Sequence, residues 1–248
     1  MGARSGLARI SSSPRTATYV YGVACDASRI ARTGVGGAAV ETVSHDGLAA
    51  IVSTLPSPDL RARRRDILAH QEVLQEAFDH GVVVPLRFGT AFADADEVVE
   101  KLLAPRHAHL VRLLERFAGV VELSVRAYYL EDAVLREIVR DDPRVGRLRG
   151  RATDVALGEA VAGALNAKRA AEAAAIEQTL APLAHDTVIE PPRTEYELFR
   201  GAFLVPRKRV DRFDAAMDDL ARERDGCVVF KYVGPLPPHS FVEQEAGG

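Results

Sequence analysis

The chain has 248 residues, 47% hydrophobic and 27% charged, with a formal net charge of −3 and a pI near 6.2. This is enough apolar material for a core in each of two small domains, and the acidic balance argues against nucleic acid as a partner, since phosphate binding draws on an excess of Lys and Arg. The two cysteines, Cys25 and Cys227, have no Cys or His at metal-ligand spacing, so no metal and no cofactor is expected. No apolar run reaches the ~20 residues of a membrane span and no secretory h-region opens the chain, so no lipid membrane is expected and the cytoplasm is the expected compartment.

Residues 1–16, rich in Gly, Ser and Arg, read as a disordered leader. The run Thr18–Ala24 is β-branched and aromatic, as a strand requires. Two apolar runs, Ala38–Val43 and Leu48–Ser53, flank Asp46-Gly47, a dipeptide suited to a hairpin turn. Asp59 is positioned to cap a helix over 60–78, which Gly81 ends. Val82–Val84 then forms a short buried strand leading into Pro85-Leu86-Arg87-Phe88-Gly89-Thr90. A helical pattern covers 94–117, and Pro105 should kink or split it.

From Gly119 the residues Val121, Leu123, Val125, Ala127 and Tyr129 alternate with Glu122, Ser124, Arg126 and Tyr128, the period of a strand with one buried face. An Ala-rich helix follows over about 153–183. Two strands are expected over 186–190 and 198–205, then a helix carrying Val210, Phe213, Met217 and Leu220, and a last strand over 227–233. The expected fold class is α+β, with two small domains of antiparallel sheet and helices on one face, the second ferredoxin-like (βαββαβ). The expected limits are a leader over 1–16, domains over 17–117 and 118–234, and a Pro-rich arm over 235–248. Because proline lacks an N–H, Gly234-Pro235-Leu236-Pro237-Pro238 should leave the sheet, either as a docking arm or folded on its own domain.

The polar candidates have structural readings. His70 lies on the apolar face of its helix beside Asp66, as a core or boundary histidine. His107 and His109 point to different helix faces and cannot share a metal, while His45 and His185 are isolated. Arg61, Arg63, Arg64 and Arg65 read as a solvated basic run. Arg147, Arg149 and Arg151 occupy a loop where they could grip a carboxylate or phosphate, or equally meet an acidic partner protein. The glycines of 33–37 lead into a strand and form neither a P-loop nor a dinucleotide fingerprint.

Several segments together resemble the gas vesicle GvpL/GvpF family. They are Tyr19-Val20-Tyr21-Gly22-Val23, Leu48–Ser53, His70 with Val73-Leu74, Val84–Thr90, and the close Gly234–Phe241. Leu236 and His239 depart from the aromatic pair expected in that close. The resemblance implies a non-enzymatic accessory or minor structural protein, cytoplasmic and associated with gas vesicles. It implies contact with the hydrophobic shell subunit and with other vesicle proteins. The residues singled out for such contacts are Arg87, Phe88, Phe92, Pro235, Pro237, Pro238 and Phe241. The alternative is a small-molecule-binding or enzymatic protein using an inter-domain cleft with Arg87, His70 and Asp66.

Overall fold

The computed structural model describes residues 16–25, 30–56, 63–148 and 153–242. The chain divides into two compact units, one ending at Ala118 and one beginning at Gly119. The expected leader, apart from Thr16, and the expected cap Asp59 with Arg61 lie outside the described residues.

The first unit contains β1 (Ala17–Ala24), β2 (Glu41–His45), β3 (Leu48–Leu55), α1 (Arg64–His80), β4 (Val83–Pro85), β5 (Ala91–Phe92), α2 (Ala95–Val98) and α3 (His107–Phe117). Its sheet runs β2-β3-β1-β4, with β5 also pairing β1, and every pairing is antiparallel. The β2–β3 turn is made by Asp46 at φ 47° and Gly47 at φ 78°. Two left-handed central residues match the right-handed twist of the flanking strands, which is why Asp-Gly is found here. The helical pattern over 94–117 is split as expected. The side chain of Asp94 accepts the Glu97 N–H at 2.9 Å and starts α2, a π-helical stretch spans Val99–Leu103, and α3 begins only after Pro105.

The second unit contains β6 (Val120–Tyr129), α4 (Glu131–Asp141), α5 (Pro143–Leu148), α6 (Asp154–Leu180), β7 (Asp186–Ile189), β8 (Glu197–Pro206), α7 (Val210–Glu223) and β9 (Val228–Leu236). Its four strands run β7-β8-β6-β9, all antiparallel. The unit's first strand thus lies between its third and fourth, the ferredoxin-like arrangement, with α6 and α7 as the two crossover helices. Phe213, Met217 and Leu220 of α7 and Ile176 and Leu180 of α6 are buried as their spacing predicts.

Three local readings change. Arg147 belongs to helix α5 and not to a loop, while Arg149 and Arg151 lie outside the described residues. The pair α4–α5 has sequence signals of its own. Glu131 and Asp132 fill the first turn of α4. Asp142 precedes Pro143 at the start of α5 and accepts the Arg144 N–H at 2.7 Å. An ionic cluster ties α4 to α6: Lys168 Nζ lies 2.8 Å from Glu137 and 2.9 Å from Glu172, and Glu172 accepts the Tyr129 hydroxyl at 2.6 Å. The half-buried Cys227 donates its thiol to Glu137 at 3.0 Å, which pushes the thiol pKa up, whereas Cys25 is exposed. Finally, Glu122, read as part of the solvent-facing alternation of β6, is only 4% exposed.

Candidate functional site

Each unit holds one of the two distinctive segments. In the first, β4 pairs Val84 with Val23 and Pro85 with Gly22, and the Leu86 N–H continues onto the Tyr21 carbonyl at 2.8 Å. The chain then leaves β1, turns, and rejoins it where β5 pairs Ala91 with Tyr19 and Phe92 with Thr18. Within the turn the Thr90 N–H reaches the Arg87 carbonyl at 3.2 Å, and Gly89 takes φ 94°. A left-handed φ at the third turn position is strained for any residue with a Cβ, so glycine is required.

A buried polar clamp holds this turn from below. His70 of α1, 4% exposed, places Nε2 3.2 Å from the Leu86 carbonyl and Nδ1 2.8 Å from the Tyr19 hydroxyl. A carbonyl can only accept, so Nε2 carries a hydrogen, and in the neutral imidazole Nδ1 is then an acceptor. Tyr19 therefore donates to Nδ1, and its oxygen accepts the Gly89 N–H at 3.2 Å. Burial raises the Tyr19 pKa, which keeps the phenol protonated and able to donate. The rings of Tyr19, Tyr21 and Phe88 pack round the imidazole at 5.7, 5.5 and 5.7 Å between centroids. Arg87 is exposed at the tip, and Phe88 and Phe92 are half-buried.

Of the other two candidates for a ligand cleft, Arg87 is exposed and Asp66 is engaged much as His70 is. Asp66 is 7% exposed, accepts the Gly36 N–H at 3.4 Å and lies 3.7 Å from Arg65. Among the described residues no group of His, Cys, Asp and Glu is placed to hold a metal ion.

The close of the chain departs from the arm reading. β9 does not stop before the prolines but runs to Leu236, with Leu236 opposite Glu122. This is tolerated because β9 is an edge strand with a register shift between Val233 and Leu236, so the missing proline N–H interrupts no central ladder. A Cβ at Gly234 would lie 2.5 Å from Leu123 Cδ2 and 3.0 Å from the Glu122 carbonyl, so only glycine lets the strand approach β6 this closely. Pro237, Pro238 and Phe241 are buried, Phe241 completely. The Ser240 N–H and hydroxyl both donate to the Glu122 carboxylate at 2.8 Å. Up to Val242 the segment is a latch folded on its own unit. Pro237, Pro238 and Phe241 thus pack within their own unit instead of projecting as an arm, and Pro235 alone of the four is exposed.

The latch carries a pH signature. Burial raises the Glu122 pKa above its ordinary 4.5, outweighing the two Ser240 hydrogen bonds that lower it. The folded state then binds this proton more tightly than the unfolded state. Its contribution to stability is present at low pH and is lost as pH rises from the unfolded value through the raised folded one. Glu122→Gln keeps partners for Ser240 but cannot ionise. Wild type is expected to lose stability relative to this variant as pH rises above 4.5 in urea denaturation. Parallel pH profiles of the two proteins would refute this.

Taken together, the fold defines a class: an α+β protein whose second unit is ferredoxin-like and whose distinctive segments are turned to holding a loop and a chain end in place. Residues 17–243 match the family described as gas vesicle synthesis protein GvpL/GvpF. Gas vesicle protein F of Streptomyces sp. (strain CB03234) is 38% identical over 91% of this chain and 99% of its own length. Gas vesicle protein L2 of Halobacterium salinarum is 26% identical over 85% of this chain and 84% of its own. The crystal structure of GvpF from Anabaena sp. PCC7120 superposes with a TM-score of 0.82 at 24% identity, covering 92% of this chain and 98% of that one. That of GvpF from Microcystis aeruginosa gives 0.78 at 19% identity, over 91% and 98%. The chain belongs to the GvpL/GvpF family and has a gas vesicle-related role. This is a family of gas vesicle proteins and not a known enzyme family. Among the described residues no helix is long and apolar enough to cross a membrane.

Proposed function

We propose that this chain is a non-enzymatic accessory or minor structural protein of gas vesicle assembly, which acts in the cytoplasm by binding the hydrophobic shell subunit and other vesicle proteins. The observation that carries this reading is the family match over residues 17–243. The clamp supports it. The polar groups best suited to chemistry, His70 and Tyr19, are engaged in holding the 86–90 turn, which leaves that turn as a shaped, rigid feature with Arg87 at its tip. A subunit that exposes apolar surface before it assembles aggregates, and a partner covering that surface favours ordered addition. Arg87, Phe88 and Phe92 form the contact surface in the first unit, and Pro235 contributes from the second.

The test is co-expression with the shell subunit. The shell subunit should co-purify with this chain through moderate salt, because an apolar contact is little screened. Arg87→Ala with Phe88→Ala should reduce the recovered shell subunit by about tenfold, as loss of an anchoring pair at an interface does. Recovery of shell subunit that is no better than without the chain, or that the double variant leaves unchanged, would count against the reading and the surface respectively.

A further inference from the structure

Three cations stand in a row across the second unit's sheet. In the register Arg200 of β8 lies opposite Arg126 of β6, and Arg126 lies opposite Lys231 of β9. Cross-strand partners share a face, and Leu123, Val125 and Ala127 take the other one. Like charges directly opposite each other destabilise a sheet, so folding alone gives no reason for this row. Arg200 is 9% exposed and paired with Glu197 at 2.6 Å. Arg126 and Lys231 are exposed, and among the described residues no carboxylate pairs with either. Lys231 instead leans over the Tyr128 ring, with Nζ 5.0 Å from its centroid, the direction that takes it away from Arg126.

Lys231 also sits on an edge. Among the described residues β9 pairs only with β6, so the outer N–H and C=O groups of its regular stretch, Val228–Val233, face no strand. Val229 and Val233, on the same face as Lys231 and two residues to either side, are 45% and 53% exposed. A lone lysine on an edge strand is a common guard against pairing. Such a guard does not account for two exposed valines flanking it, nor for a second cation one strand inward.

We infer that the outer edge of β9 takes an extended segment of a partner protein by strand addition, the segment reading apolar–x–acidic–x–apolar. Its main chain would complete the ladder. Its acidic side chain would meet Lys231 and Arg126, and its apolar side chains would cover Val229 and Val233. Nucleic acid fits less well, since two exposed cations on a chain of net charge −3 neutralise few phosphates. This surface is independent of the shell-subunit reading, and either can fail without the other.

The experiment titrates the full chain with the peptide Thr-Val-Thr-Glu-Thr-Val-Thr up to millimolar concentration and follows backbone amides by NMR. Shifts confined to residues 228–233 and their β6 neighbours are expected. A peptide with Lys in place of Glu should leave them still. In Arg126→Glu with Lys231→Glu the preference should invert, with a loss of about tenfold or more for the acidic peptide. The same variant's thermal midpoint should hold or rise, since the repulsion between positions 126 and 231 is exchanged for another while Arg200 gains an opposite charge across the strands, which keeps misfolding from explaining a loss. No shift with the acidic peptide, or shifts that survive charge reversal, would overturn the proposal. So would shifts at these residues with an oligothymidylate in place of the peptide. Binding that appears only after deletion of residues 243–248 would make the chain's own acidic end, Glu243 and Glu245, the occupant, and would overturn it as well.

Discussion

Phe241→Ala is expected to destabilise the second unit by about 3–5 kcal/mol, the cost of deleting a buried phenylalanine from a packed core. The residue is completely buried, although it lies seven residues from the last one of the sequence. Its neighbours make the effect cooperative. Ser240 is held by both oxygens of the buried Glu122 carboxylate, and Pro237 and Pro238 are buried beside it. Once the ring is gone, the latch has only those hydrogen bonds to offset the entropy of ordering the chain end, and Glu122 is then left in an apolar setting without donors. Thermal denaturation should show the unit's midpoint falling by on the order of 10 °C. Hydrogen exchange should show residues 236–241 opening first. A loss below about 1 kcal/mol, the range of a surface substitution, would mean that the ring is not part of the core.

His70→Ala is expected to cost about 2–5 kcal/mol in the first unit, combining a cavity with two broken hydrogen bonds. The cavity opens among Tyr19, Tyr21 and Phe88. The broken bonds leave the Leu86 carbonyl and the Tyr19 hydroxyl without their partner. His70→Phe separates the two contributions. It restores the ring volume but not the hydrogen bonds, and should cost about 1–3 kcal/mol. Tyr19→Phe should cost a similar amount, because it removes the acceptor of the Gly89 N–H and the donor to His70. In all three variants the Gly89 and Thr90 amides should exchange faster than those of β1. A near-zero cost for His70→Phe would show that the imidazole is a space-filler and that the turn holds its own shape.

Much of the fold was legible from short-range chemistry. Asp46-Gly47 announces its hairpin because only residues that tolerate left-handed φ can make that turn. Pro105 announces the break between α2 and α3 because its missing N–H and its ring act within one turn. The alternation along β6 and the spacing of Phe213, Met217 and Leu220 announce their elements because the period of the backbone is written into neighbouring residues. Helices α4 and α5 were less visible. Their signals, paired acids before Val134 and Asp142 before Pro143, are short and sit between two much stronger patterns. The importance of His70 was legible only as a polar residue on an apolar face. Its partners come from Tyr19 and Leu86, which nothing near His70 in the sequence indicates.

The close of the chain divides the two kinds of information most clearly. The residues Gly234-Pro235-Leu236-Pro237-Pro238 by themselves determined that the backbone here is stiff, short of donors and unfit for a central strand. Those are covalent properties, independent of the rest of the chain. Whether the segment projects or folds back depends on Glu122, which lies 118 residues away from Ser240 in sequence. It depends equally on β9 being an edge strand, a fact of strand order. Burial of Glu122, Phe241 and His70, and the row of Arg200, Arg126 and Lys231, arise only when distant strands are set side by side. Local sequence specifies which conformations a segment can take, and long-range packing selects among them.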